Sequence, residues 1–110
     1  MTTVRIFESK TEGTYRAFEF YGHAGYARQG KDIVCSALSI LAYTTVEAIE
    51  NIVGEDIVVD SDEKSGLIRC TFSGKPSEES VLLVDSMLLG VKKIRDEYGK
   101  KFIDIIIEEV

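Results

Sequence analysis

The chain has 110 residues, of which 45% are hydrophobic and 29% charged, and this composition is typical of one globular domain with its own core. The net charge of −6 at pH 7 argues against a general nucleic-acid-binding protein, which would carry a basic face. The opening segment lacks the basic head and apolar stretch of a secretory signal, and no run approaches the roughly 18 apolar residues of a membrane span, so we expect a cytoplasmic protein without direct nucleic-acid or membrane contacts.

Two short segments near the start predict a β-hairpin. Residues 3–9, TVRIFES, alternate enough for a short strand, and residues 14–22, TYRAFEFYG, alternate more clearly, with Phe18 and Phe20 on one face. Between them, KTEGT forms a turn in which Gly13 supplies the bend. We therefore expect these two strands to pair.

A first amphipathic helix is predicted after a loop that carries several glycines. Asp32 is a good N-cap and Gly54 is a good stop, so the helix lies between them. Its apolar side chains recur with the helical period and form one stripe, which contains Val34, Ala37, Leu38, Leu41, Thr45, Ile49 and Ile52.

A second hairpin and a second helix follow. Residues 56–61, DIVVDS, and 67–73, LIRCTFS, read as strands joined by the turn DEKSG. The helix starts at Pro76 or Ser77, carries acidic residues in its first turn and closes at Gly99. Its apolar stripe contains Val84, Met87, Leu88, Val91, Ile94 and Tyr98.

The segment KFIDIIIEEV, residues 101–110, is predicted as a last strand. The element order is therefore ββαββαβ within a single domain, residues 1–110. Paired hairpins with two amphipathic helices indicate an α+β fold, in which the helices cover a largely antiparallel or mixed β-sheet to form two layers. The order of the strands in the sheet cannot be read from the sequence.

The loop before the first helix matches the spacing of a phosphate-binding loop. Residues 25–31, GYARQGK, fit G-x-x-x-x-G-K between a strand and a helix. However, Asp32 stands where such loops place a hydroxyl for magnesium, and its carboxylate would repel the phosphates. The domain is also short and rich in hairpins, so we regard this spacing as coincidental.

The same stretch, GHAGYARQGKDIVC, contains the only histidine and one of the two cysteines. With Asp32 as N-cap, Cys35 is the third helical residue and lies close to backbone N–H groups that lack helical partners. Such a position lowers the pKa of a thiol, and the same N–H groups would stabilise the oxyanion formed when the thiolate attacks a carbonyl. His23, twelve residues earlier, would supply the base, since imidazole transfers protons near neutral pH.

These residues by themselves leave two interpretations open. The pair is the smallest form of an activated nucleophile with its base, but a structural histidine and a packed cysteine would give the same pattern. Both cysteines are expected as free thiols, and Cys70, inside an apolar strand, is assigned to the core. One histidine and two distant cysteines do not make a zinc site, so neither a metal nor a cofactor is expected.

One wider pattern ties this histidine and this cysteine to particular glycines. It consists of Gly22-His23-Ala24-Gly25-Tyr26-Ala27, then Gly30, then Asp32-Ile33-Val34-Cys35-Ser36-Ala37, then Ser39. The pattern is specific, and it resembles the signature of the ribosomal-processing cysteine protease Prp family. The length and element order also fit that family, although outside the stretch the likeness is one of layout.

The resemblance implies a cytoplasmic bacterial endopeptidase that removes a short N-terminal extension from one large-subunit ribosomal protein. It implies that Cys35 is the nucleophile, that His23 is the general base and that the enzyme is a homodimer. The loop with Gly25, Tyr26 and Gly30 would move to admit an extended substrate, whose apolar or aromatic side chains lead to a small residue at the cut.

Three supporting positions, Gly22, Asp32 and Ser39, also match the pattern. Asp32 either orients His23 or caps the helix, and capping is favoured because a carboxylate beside the thiol would raise its pKa. Ser39 either reaches the site or bonds back to the carbonyl of Cys35. A rival interpretation makes the chain a non-catalytic ribosome-assembly module in which Cys35 is only packed, and slow alkylation of that thiol would favour it.

Overall fold

The computed structural model describes residues 1–28 and 30–110. Its elements follow the predicted order ββαββαβ and confirm an α+β domain with two hairpins. Their bounds are β1 (Thr2–Ser9), β2 (Thr14–Tyr21), α1 (Ile33–Ala48) continued by a π-helical turn (Ile49–Val53), β3 (Ile57–Asp62), β4 (Leu67–Phe72), α2 (Glu78–Tyr98) and β5 (Ile103–Glu109).

The five strands form one mixed sheet in the order β3-β4-β2-β1-β5. Neighbouring strands are antiparallel except for β1 and β5, which run parallel with Val4 opposite Ile105. The prediction of a largely antiparallel or mixed sheet is therefore confirmed. Because β2 occupies the centre of the sheet, the residues that follow it, His23 among them, lie between β1 and the β3–β4 hairpin.

Both helices cover one face of this sheet and share a single apolar core with it. The other face carries charged side chains, where Glu19 is buried between the guanidinium groups of Arg5 and Arg69 and accepts hydrogen bonds from both. The largest core side chains come from strands and helices alike: Val4, Ile6, Phe18, Ile103, Val34, Ile49, Val84, Met87 and Val91.

The buried side of α1 departs from the predicted stripe at its carboxyl end. Ile52 was assigned to the stripe, but its side chain is 83% exposed. The reason is the π-helical turn, which winds more widely than an α-helix and rotates residue 52 away from the core. Gly54 then ends the segment in the left-handed conformation, as predicted. The buried residues of this helical segment are Val34, Leu38, Ala42, Thr45, Val46 and Ile49.

Helix α2 begins and ends where the sequence predicts. Ser77 is its N-cap and Gly99 is its C-cap. The amino end is held further by Glu55, whose carboxylate accepts a hydrogen bond of 2.8 Å from the Ser77 N–H. The two helices approach closely at Gly90, where a Cβ atom would lie only 2.8 Å from the side chain of Leu41.

The helical segment of residues 33–53 is long and apolar enough, by length and composition alone, to cross a membrane. This finding corrects the expectation that no segment approaches such a span. In the fold, one side of the segment packs onto the sheet, while the other side exposes Ile40 and Tyr43. Since α2 exposes Leu89 as well, the outer surface of the helical layer is partly apolar.

Candidate active site

A cavity of about 760 Å³ lies beside the amino end of α1. Its wall is formed by the carboxyl end of β2, the loop that follows, the first turns of α1 and the β3–β4 hairpin. The cavity is large enough for several side chains of an extended peptide. Most of the predicted site residues lie in this wall, namely Gly22, His23, Gly25, Gly30, Asp32, Cys35 and Ser39.

Cys35 lies in the first turn of α1, half-buried in the cavity wall. The backbone N–H of Ala24 donates a hydrogen bond to its Sγ at 3.1 Å. Burial raises the pKa of the Cys35 thiol, the Ala24 N–H opposes this rise, and the nearby Asp32 carboxylate adds to it. The predicted lowering of this pKa is therefore wrong in direction, because the sulfur is withdrawn from water and lies beside a negative charge. Slow alkylation of Cys35 at neutral pH is then expected of the enzyme as well, so it no longer distinguishes the enzyme from the non-catalytic module.

Asp32 is buried and caps α1, the role favoured from the sequence. Its Oδ1 accepts hydrogen bonds from the N–H groups of Val34 and Cys35, each at 3.0 Å. Its Oδ2 accepts from the N–H groups of Tyr26 and Ala27, at 2.9 and 3.3 Å. Burial acts to raise the pKa of Asp32, but the hydrogen bonds from the Cys35, Ala27 and Tyr26 backbone outweigh it and hold the pKa below its usual range.

This cap changes what the helix end can contribute to catalysis. The N–H groups of Val34 and Cys35 are engaged by Asp32, so they are not the free oxyanion donors that the sequence suggested. Among residues 1–28 and 30–110, the Asp32 carboxylate interacts with these backbone N–H groups and with the neighbouring Cys35 thiol, and it makes no hydrogen bond to His23. The donors that face the sulfur come instead from the loop after β2.

His23 follows β2 directly and is held against the turn between β3 and β4. Its Nε2 lies 3.1 Å from the carbonyl oxygen of Lys64. The preceding residue is fixed by the same turn, since the Gly22 N–H donates to the carbonyl of Ser65 at 3.1 Å. In the described part of the chain the imidazole makes no hydrogen bond to the Cys35 thiol, so the two groups share one cavity wall without a direct hydrogen bond.

The side chains of Ser39 and Tyr26 lie in different surroundings. Ser39 is exposed in the cavity wall, and among the hydrogen bonds of residues 1–28 and 30–110 there is none from its hydroxyl back to the Cys35 carbonyl. The Tyr26 ring lies outside the wall and packs edge-on against the rings of Tyr98 and Phe102, with centroids 5.5 and 5.2 Å away. Tyr26 thus ties its loop to the end of α2.

Sequence reasoning missed two parts of the wall. The turn of residues 62–66 supplies the carbonyl that contacts His23, and a backbone carbonyl leaves no mark in a sequence except where a glycine is needed beside it. The apolar part of the wall is formed by residues of β2, α1 and the start of β4, so it cannot be recognised from any one segment of the sequence. Its members are Phe20, Leu38, Ile40, Tyr43, Leu67 and Ile68.

Neither cysteine is engaged in a disulfide, as expected. Cys70 is fully buried in β4 and belongs to the core. Over residues 1–28 and 30–110 there is no group of three or more His, Cys, Asp or Glu side chains placed to hold a metal ion. The expectation that the protein needs neither metal nor cofactor stays a prediction.

The chain is similar in sequence to named proteins over most of its length. A family model described as cysteine protease Prp matches residues 1–103. The ribosomal processing cysteine protease Prp of Staphylococcus aureus is 28% identical over 79 residues, which cover 72% of this chain and 74% of that protein. The protein of the same name from Bacillus subtilis is 26% identical over 86 residues, which cover 74% of this chain and 77% of that protein.

Solved structures show the same fold. A crystal structure of the ribosomal processing protease Prp from S. aureus, with a covalently linked product peptide, aligns with a TM-score of 0.88 at 27% identity and covers 98% of this chain and 100% of that chain. A structure of the S. aureus protease with a substrate peptide aligns with a TM-score of 0.79 at 25% identity and covers 100% of both chains.

Proposed function

The chain belongs to the cysteine protease Prp family, and from that premise we propose that it removes a short N-terminal extension from a large-subunit ribosomal protein, with Cys35 as nucleophile and His23 as general base. The observation that supports this most directly is the shared cavity of about 760 Å³, which has both residues in its wall. A cysteine peptidase needs a thiol, a base and room for an extended chain, and this cavity offers all three.

In the proposed reaction the Cys35 sulfur attacks the scissile carbonyl carbon, so that a carbon–sulfur bond forms and the carbon–nitrogen bond then breaks. His23 takes the thiol proton and passes it to the departing amine. Water hydrolyses the resulting thioester with His23 as base, which restores the thiol. The Ala24 N–H, 3.1 Å from Sγ, stabilises the thiolate before it attacks.

The raised pKa of Cys35 makes the base indispensable. Because burial and the Asp32 carboxylate both disfavour the thiolate, little of it forms at neutral pH without a proton acceptor. We infer that the loop carrying Gly25 and Gly30 moves to admit the substrate, that His23 stays against the β3–β4 turn, and that the Cys35 thiol then comes into hydrogen-bond contact with the imidazole. Such tightening on substrate binding is common in catalytic pairs.

The composition of the wall supports an apolar substrate segment. Apolar side chains from β2, α1 and β4 form one part of the wall, and the exposed Ser39 hydroxyl is available to a substrate backbone. An extended peptide with apolar or aromatic side chains before the cut and a small residue at the cut suits this lining. Gly22 and Gly25 leave the wall without side chains on the histidine side, where the peptide backbone would approach.

The first experiment is to incubate the purified protein with a peptide that spans the extension and the start of the mature ribosomal protein, and to follow the products by mass spectrometry. We expect one cut by the native protein and none by the Cys35→Ala and His23→Ala variants. The matched control is Cys70→Ala, which should make the same cut because its thiol lies in the core.

Two results would contradict the proposal. If the folded native protein cuts neither the peptide nor the full-length precursor, the protease assignment to this substrate is refuted, and the non-catalytic ribosome-assembly module is favoured. If the cut persists at the native rate in His23→Ala, the general base has been assigned to the wrong residue.

We also propose that the protein acts in the cytoplasm as a homodimer that meets through its helical layer. Leu82 and Leu89 lie seven residues apart on α2 and are 68% and 70% exposed, and neighbouring exposed apolar side chains of this kind are typical of an interface. Sedimentation equilibrium should show a dimer that Leu89→Lys dissociates and the control Val58→Lys, on the opposite face, leaves intact. A native monomer, or dissociation by Val58→Lys alone, would refute this interface.

A further inference from the structure

In the contact between His23 and the β3–β4 turn, the donor and the acceptor of the hydrogen bond can be assigned. Nε2 of the ring lies 3.1 Å from the Lys64 carbonyl oxygen. A carbonyl oxygen can only accept a hydrogen bond, so the contact requires the proton on Nε2. In the neutral ring the free lone pair is then on Nδ1. The turn therefore distinguishes between the two ring nitrogens.

We propose that the turn of residues 62–66, through the Lys64 carbonyl, holds His23 in the Nε2–H tautomer and so makes Nδ1 the basic atom of the catalytic pair. This inference rests on the proposed function and adds a positioning group to it. In many catalytic sites a carboxylate orients the histidine. Here Asp32 does not take that role, because its oxygens accept hydrogen bonds from backbone N–H groups at the start of α1 and in the preceding loop.

The turn is built to keep the Lys64 carbonyl in place. Asp62 accepts a hydrogen bond from the Lys64 N–H at 3.2 Å through Oδ1 and one from the Ser65 hydroxyl at 2.9 Å through Oδ2. A further backbone hydrogen bond closes the turn, from the Gly66 N–H to the Glu63 carbonyl at 3.3 Å. The Asp62 side chain thus fixes the backbone around Lys64, whose carbonyl contacts the imidazole.

The turn also docks directly on the end of β2. Besides the hydrogen bond from Gly22 N–H to the Ser65 carbonyl, Gly66 packs so closely that a Cβ atom would lie 2.7 Å from the Gly22 oxygen and 3.3 Å from His23 Cε1. On the other side, the Thr2 hydroxyl donates to the Gly22 carbonyl at 3.1 Å. The backbone next to His23 is therefore held in place by contacts with β1 on one side and with the turn on the other.

The tautomer can be measured without substrate. The chain has one histidine, so protein labelled with ¹⁵N-histidine gives a single pair of ring nitrogen signals that need no assignment. We expect the two-bond ¹H–¹⁵N correlation pattern of the Nε2–H tautomer in the neutral ring of the native protein. The Nδ1–H pattern, or an even mixture of the two, would overturn the proposal.

A pair of glycine variants tests whether the turn is responsible. Gly66 and Gly13 both have positive φ, +71° and +67°, so alanine is strained at either position, but only at Gly66 would its Cβ meet Gly22 and His23. We expect Gly66→Ala to lower kcat for the extension peptide by at least about tenfold and to mix the tautomers, while Gly13→Ala stays within about twofold of native with an unchanged tautomer. Equal effects at both positions would overturn the proposal.

Asp62→Ala provides a second route should Gly66→Ala not fold. It removes two hydrogen bonds from an exposed turn, and the control is Asp60→Ala on the same strand. We expect a lower kcat and a mixed tautomer only for Asp62→Ala; a native tautomer in both variants would overturn the role of the turn. A native protein that shows the Nε2–H tautomer but cuts no peptide would refute the proposed function and leave the positioning contact confirmed.

Discussion

The chain has two cysteines, and they lie in contrasting surroundings, one in the wall of the cavity and the other in the core. Cys35 lies half-buried in the wall of the cavity with the Ala24 N–H 3.1 Å from its sulfur, whereas Cys70 lies fully buried among apolar side chains of the core. Burial raises the pKa of both thiols, that of Cys70 to about 12. Under the proposed function, the difference means that access to a ligand and nearby backbone donors, rather than burial as such, separate a reactive thiol from a packed one.

The largest difference between the two cysteines is expected in activity when each is replaced by alanine. Cys35→Ala should lower kcat/KM for the extension peptide by at least about a thousandfold, because the reaction loses its nucleophile. Cys70→Ala should leave kcat/KM of the folded protein within about threefold, since distant sites act independently. Steady-state cleavage measures both, and a Cys70→Ala protein that keeps its circular dichroism spectrum but loses all activity would contradict the contrast.

Alkylation compares the two thiols within one native molecule. Iodoacetamide should modify Cys35 at least about a hundredfold faster than Cys70 in the folded chain, since only the former is accessible without unfolding. In concentrated urea the two rates should converge. Peptide mapping by mass spectrometry gives both rates in one experiment, and similar rates in the folded protein would argue against the difference in access.

Stability should show the opposite order from activity. Cys70→Ala leaves a small cavity in the core and should lower the free energy of unfolding by roughly 1–2 kcal/mol. Cys35→Ala, at a half-buried position, should cost less than about 1 kcal/mol. Urea denaturation with an unchanged m-value measures both changes. A larger loss for Cys35→Ala would mean that this thiol has the greater structural role.

The smallest expected effect is that of the Asp32 charge on the pKa of Cys35. The midpoint for its alkylation should lie above the ordinary thiol value of about 8.5, because burial and the Asp32 carboxylate raise its pKa. Asp32→Asn keeps one of the two acceptor oxygens of Asp32, which can cap the helix, and removes the charge, so this midpoint should move to lower pH. Alkylation rates over a range of pH provide the test, and an unmoved or higher midpoint for Cys35 would contradict it.

The ends of the helices could be predicted because capping is a local property. Asp32 and Ser77 begin their helices and Gly54 ends the first helical segment in the places that the sequence indicates. The orientation of Ile52 could not be predicted in the same way. It depends on a π-helical turn, which has no sequence signature in this chain.

The part of the candidate site formed by the segment from Gly22 to Ser39 could be predicted from the sequence. A loop with several glycines returns the chain so that His23 and Cys35 line one cavity, which their spacing suggested. The direction of the pKa shift at Cys35 was not predictable, because burial there is produced by segments distant in the sequence. The contact with Lys64 was equally hidden, since it uses a backbone atom that every residue has.

The pairing of β1 with β5 joins segments about one hundred residues apart in the chain. Contacts of such long sequence separation carry a large loop-closure entropy and form late in folding. During translation, β5 leaves the exit tunnel after the other four strands, and until it docks, β1 presents an open edge that other strands could join. The five-stranded sheet is therefore complete only when β5 docks beside β1, whereas the contact between Thr2 and Gly22 lies within the β1–β2 hairpin and can form earlier.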